Sequence, residues 1–71
     1  MTKTFPRYAS AEFAYGSNGH RVTIEDVPCD WNPAAGDMDS QCALAVASYV
    51  GNHNLTQGLP VTLVWVSSSA A

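Results

Sequence analysis

Apolar and polar residues alternate twice near the start of the chain, and each alternation predicts a half-buried strand. Ala9, Ala11, Phe13 and Tyr15 fall on one side of an extended segment, with Ser10 and Glu12 on the other. Gly16-Ser17-Asn18-Gly19 follows, and its Asn-Gly pair supplies the positive φ angles that a hairpin turn requires. Val22 and Ile24 then alternate with Arg21, Thr23 and Glu25. Further on the period changes. Between Met38 and Val50, the residues Cys42, Ala43, Val46, Ala47 and Val50 recur at helical spacing, with Gln41 and Ser48 outside the stripe. Asp37 or Asp39 is placed to accept the free N–H groups at the start of this helix, and Gly51-Asn52 stands where a left-handed cap ends it. Leu44 falls off the stripe and is expected to pack against a loop or to face a partner. The last element is Val61-Thr62-Leu63-Val64-Trp65-Val66, rich in β-branched residues and apolar on both faces except at Thr62.

Two polar stretches separate these elements. Pro28 to Gly36 holds two prolines and a glycine and reads as a loop. His53 to Gly58 is the second. The ends, 1–7 and 67–71, are expected to fray. The order β-β-α-β predicts an α+β fold over a single domain, 1–71: a three-stranded, mostly antiparallel sheet with one helix packed on one face. Strand three pairs either with strand one antiparallel or with strand two in parallel through the helix crossover. A single helix covers one face only. The other face is covered by loop residues such as Trp31 and Leu55, or it is an open apolar patch of the kind that marks an interface.

Composition narrows the function. The chain has 71 residues, of which 46% are hydrophobic and 13% charged, so it folds but has little mass for a deep cleft. Nothing resembling a secretory h-region follows Met1, and the longest strongly apolar run, Leu59 to Val66, is far short of the roughly 20 residues a spanning helix needs. No membrane contact is expected, and a cytosolic protein is. The net charge is −3, and Lys3, Arg7 and Arg21 are the only basic residues. A direct nucleic-acid binder needs a basic face to displace counterions, so that class is set aside.

Charge is segregated along the chain. Glu25, Asp26, Asp30, Asp37 and Asp39 are five of its six acidic residues; no Lys or Arg follows Arg21, and no Asp or Glu follows Asp39. Each acid has a local explanation as a helix cap, an Asx-turn or a solvated strand end. Together they would form an anionic surface that attracts basic clefts. Trp31 sits among them, either as the lid of a small core or as an interface anchor.

Catalytic chemistry finds no motif. Cys29 and Cys42 lack C-x-x-C spacing and are expected to be two thiols, although they lie close enough along the chain to bridge. With His20 and His53 they match no zinc pattern, so no metal or cofactor is expected. Neither a nucleophile elbow nor a phosphate-binding glycine loop occurs, and an enzyme is not expected.

A very short acidic chain with a compact α+β pattern, carrying Glu25, Asp26, Asp30, Asp37 and Asp39 with no compensating base, resembles the small phage-encoded inhibitors of bacterial defence of the anti-CRISPR type. The resemblance covers overall character rather than an aligned segment. It implies a non-enzymatic inhibitor in the cytoplasm of a bacterial host, whose partner-binding residues would be those five acids and Trp31. Its partner would be a nucleic-acid-binding defence complex. The alternative is a small structural or regulatory module that homodimerises through an exposed apolar face of strand three, with Val64 and Val66 pointing outward.

Overall fold

The structure, a computed structural model, describes residues 3–71. Four elements follow in the expected order: β1 (Phe5–Tyr15), β2 (His20–Trp31), α1 (Met38–Asn52) and β3 (Val61–Ala70). The sheet order is β2-β1-β3 and both pairings are antiparallel. Of the two pairings open to strand three, the chain takes the one with strand one. Helix α1 lies on one face of this α+β sheet. Among the described residues, no helix is long and apolar enough to cross a membrane.

The core is small and built from small residues. Ala9, Ala11 and Phe13 of β1 and Val27 of β2 meet Cys42, Val46 and Val50 of α1. Alanine in the central strand lets the helix axis come close, so short side chains suffice to fill the space between. Val22, Ile24, Ala47 and Val66 pack around this group.

Both outer strands carry a bulge. Ala9 pairs with Val27 and Ala11 with Ile24, so Glu25 and Asp26 together oppose Ser10. Asp26 has φ +59° and donates its backbone N–H to Ser10 Oγ at 3.2 Å. In β3, Trp65 pairs with Glu12 and Leu63 with Phe13, which leaves Val64 as the extra residue. A bulge shifts the alternation by one position. Ile24 and Val27 therefore share the helix side, as do Leu63 and Val66.

The bulges correct several expectations. Segment 28–31 is strand rather than loop: Pro28 pairs with Tyr8 and Asp30 with Pro6. Pro28 is tolerated because β2 is an edge strand. Ser67 to Ala70 is strand rather than a frayed tail, since it pairs with β1 from Ser10 to Arg7. Phe5 to Arg7 is likewise paired with β2; the expectation of fraying at 1–2 lies outside the described residues. Val66 does not point outward but pairs with buried Ala11 and packs on the core. Trp31 and Leu55 do not cover the second face. Trp31 packs on Phe5 at the end of the sheet, with ring centroids 5.7 Å apart, and Leu55 is tied to the end of α1.

Turns and caps also differ in detail. In the hairpin the positive φ angles fall on Gly16 and Gly19, not on Asn18. Asp37 is the helix N-cap: its carboxylate accepts from the Ser40 N–H at 3.0 Å. The helix includes Gly51 and Asn52, and His53 is its C-cap. Asn54 has φ +52°, its N–H donates to the Gly51 carbonyl, and Leu55 N–H donates to the Val50 carbonyl at 3.1 Å. This is a Schellman cap with asparagine as its left-handed residue.

The left-handed conformation of Asp26 generates a prediction. Asp26→Val, which puts a β-branched residue at positive φ, is expected to lower stability by about 1–3 kcal/mol. Asp26→Gly is expected to stay within about 1 kcal/mol of the parent. Urea unfolding of the three proteins checks both.

Candidate functional site

The five acids do not form one patch. Glu25, Asp26 and Asp30 lie along β2, a free edge of the sheet, and all three are exposed. From Glu25 to Asp30 that edge runs roughly 17 Å, at about 3.3 Å per residue. Asp37 is engaged in the cap, where the N–H and hydroxyl of Ser40 hold its carboxyl below the usual carboxylate range. Asp39 lies in the first turn of α1 and lines a groove on the opposite, β3 side of the helix. The only ion pair among the described residues joins Arg21 to Glu12 at 3.3 Å, so none of the three β2 acids has a basic partner there.

The other cations are committed elsewhere. Arg7 donates to Ser68 Oγ at 2.9 Å, linking β1 to β3. Lys3 Nζ sits 5.2 Å from the centre of the Phe5 ring. Glu12 is the acid outside the 25–39 group, and it anchors the open face of the sheet. It accepts from Trp65 Nε1 at 2.7 Å and from Arg21, so one carboxylate ties β3, β1 and β2 together.

Trp31 closes the end of the domain. It is half-buried against Phe5, and its indole N–H donates to the Gly36 carbonyl at 3.3 Å. The loop it pins is fixed further by a residue that the helical stripe leaves outside. Gln41 accepts from the Asn32 N–H at 2.8 Å and donates to the carbonyls of Asn32 and Gly36. Two hydrogen bonds to one residue replace a strand partner, so the 32–37 turn holds the acidic end of β2 at a set distance from the helix start.

The two cysteines meet across the β2–α1 packing, with Sγ atoms 3.8 Å apart and both thiols free. Burial pushes the Cys29 thiol up to about 11, helped by its hydrogen bond to Cys42 and by Asp30 and only partly offset by Arg7. A thiol held neutral in this way is a poor nucleophile. The histidines stand at the other end of the domain. His20 packs on Tyr15 and His53 on Tyr49, with ring centroids 5.6 and 4.2 Å apart. Among the described residues no group of three His, Cys, Asp or Glu side chains is placed to hold a metal ion.

A concavity lies between α1 and β3. It has a volume of about 440 Å³ and is lined by Phe13, Ala43, Leu44, Ala47, Leu63 and Val66, among others. It is a surface groove rather than an enclosed pocket, because Leu44 and Leu63 on its two sides are both exposed. Neither alternation nor the helical stripe marks it; Leu44, the off-stripe leucine, is its one trace in the sequence. Comparison with protein-family models, curated proteins and solved structures finds no match to this chain.

Two predictions follow the local chemistry. The fold favours the neutral Cys29 thiol, so the stability it contributes is present below the ordinary thiol value of 9.0 and lost as the pH rises towards about 11. Iodoacetamide is accordingly expected to label Cys29 and Cys42 far more slowly in the folded protein than after denaturation, as read by mass spectrometry. For Asp37 the sign is opposite. Its lowered pKa stabilises the fold above the carboxylate range, and that contribution is lost as the pH falls through the lowered value. Asp37→Asn is expected to melt below the parent at neutral pH, and the difference is expected to close in acid.

Proposed function

We propose that this chain is a non-enzymatic protein-binding inhibitor that acts in the cytoplasm of a bacterial host, in the manner of the anti-CRISPR proteins it resembles. Its free β2 edge would occupy a basic, nucleic-acid-binding site on a defence complex. One observation carries the reading: Glu25, Asp26 and Asp30 line an exposed edge strand with no basic partner among the described residues. Uncompensated carboxylates on a rigid strand attract a basic cleft at long range and cost the strand nothing in internal pairing. Trp31, part-exposed at the end of the same edge, adds apolar contact area where binding energy concentrates. Asp37 and Asp39 contribute charge at longer range, the first through a carboxylate already committed to the helix cap.

The binding edge would then be a line of three carboxylates ended by an indole. Its test is a pull-down from bacterial lysate at low and high salt with competing nucleic acid, run in parallel with the Glu25→Gln, Asp26→Asn, Asp30→Asn triple variant. The expected result is a nucleic-acid-binding complex held at low salt, displaced by nucleic acid, and bound at least about tenfold more weakly by the triple variant. Equal capture by the folded triple variant would overturn the reading.

A further inference from the structure

The two free edges of the sheet are built differently. The β2 edge carries Arg21, Glu25, Asp26 and Asp30, a bulge at Glu25–Asp26, and Pro28. Charges, bulges and prolines are the devices that stop another strand from adding to an edge. The β3 edge has ten residues, VTLVWVSSSA, with a bulge at Val64 but no charge and no proline. Beside it lies the apolar groove, where Leu44 is 68% exposed and Leu63 is 43% exposed. Leu44 projects from a helix whose other apolar residues are mostly packed, so its exposure is not explained by folding alone.

We propose that two copies of this chain associate edge to edge through β3, antiparallel about a two-fold axis. They would form a six-stranded sheet with both helices on one face. The two grooves then merge into one apolar trough, filled by Leu44 and Leu63 of each copy. A two-fold axis presents the same patch from both sides, so that patch must be self-complementary. Along β3 and at Leu44 and Leu63 this one is: none of these residues is charged, and Asp39 is the one carboxylate in the groove lining, which the pair must keep in contact with water. The acidic β2 edges end up five strand spacings apart, about 24 Å, beyond the screening length of roughly 8 Å. Along β3 itself a charged partner would find no counter-charge, which favours a second copy as its occupant.

Elongated shape and surplus exposed surface point the same way. The chain is a rod of 44 × 19 × 18 Å with a radius of gyration of 12.6 Å, against about 11 Å for a compact domain of its length. It exposes 4625 Å², where a monomer of this mass is expected to expose about 4,200 Å². A stable interface needs roughly 800 Å² from each partner, and pairing two such rods along their length brings strand, groove and Leu44 into it together.

Sedimentation equilibrium tests the proposal. The parent is expected at twice 7.5 kDa, and Leu44→Glu is expected to weaken association at least about a hundredfold while leaving far-UV circular dichroism unchanged. Leu63→Lys is expected to act in the same direction. As a second measurement, amide exchange in 61–67 is expected to slow with rising protein concentration. A parent that stays monomeric into the hundred-micromolar range overturns the proposal, and so does a dimer that Leu44→Glu leaves intact. Neither variant touches β2, so a monomeric parent that still binds a basic partner would sink this inference and leave the acidic-edge reading standing.

Discussion

Alternation along a strand puts every second side chain on one face, so residues three apart fall on opposite faces. Ile24 and Val27 are three apart, as are Leu63 and Val66, and all four lie on the side of α1. Each pair depends on one bulged residue. Without Asp26 in its left-handed conformation, Val27 would turn to solvent and Cys29 would leave Cys42. Without the extra Val64, Leu63 and Val66 could not both line the groove. Among the described residues seven form the buried core and Val27 is one of them, while Leu63 and Val66 form the groove wall beside it. The two bulges therefore set what one helix can cover on a three-stranded sheet.

The same feature explains what could be read from the sequence. The β1 stripe of Ala9, Ala11 and Phe13 and the α1 stripe of Cys42, Val46 and Val50 keep an unbroken period, and both are buried as the pattern predicts. The order β-β-α-β follows from those periods and their separators. Where a bulge breaks the period, alternation fails as a guide. Past Asp26 the apolar residues change parity, so strand reads as loop, and Pro28 strengthens that impression although an edge strand accepts it. In β3 the extra Val64 makes a one-sided strand look apolar on both sides. Gly51 misleads for another reason: a glycine inside a helix costs only about 1 kcal/mol, and Asn54 supplies the left-handed cap instead. Of the candidate site, the acids were legible as a run of residues. Their division among edge, cap and groove was not, because it depends on the bulge and on the Gln41 contacts that fix the turn.

Charge in this chain is allotted with little surplus. Glu12 takes Arg21 and the Trp65 indole, Arg7 takes Ser68, and Lys3 lies over Phe5. The Glu12 contacts hold the three strands together on the face that α1 leaves open, and the Arg7–Ser68 contact links β1 to β3 on the helix side. Arg7 and Arg21 are thereby occupied by strand-to-strand links, and the carboxylates on β2 stand apart from them. Exposed ion pairs contribute little to stability, so the Glu12 contacts act chiefly to fix register across three strands. The Trp65 indole, laid over Glu12, also explains how a tryptophan and a carboxylate share the middle of an open face. Each shields part of the other from water, and the hydrogen bond between them satisfies both.

Across the sheet, then, chemistry runs from anionic at β2 to uncharged at β3. An edge that repels strands protects a small sheet from uncontrolled addition, while an edge that accepts one leaves a single route to growth. A chain with two open edges would polymerise; one with a guarded and an open edge would stop at two copies. Antiparallel pairing through β3 puts both guarded edges on the outside, facing away from each other. Such a pair could not insert both acidic edges into one cleft, but it could bridge two clefts of a symmetric target and gain avidity without any new contact. The guarded edge would then serve twice, by ending the sheet and by presenting its carboxylates to a basic surface.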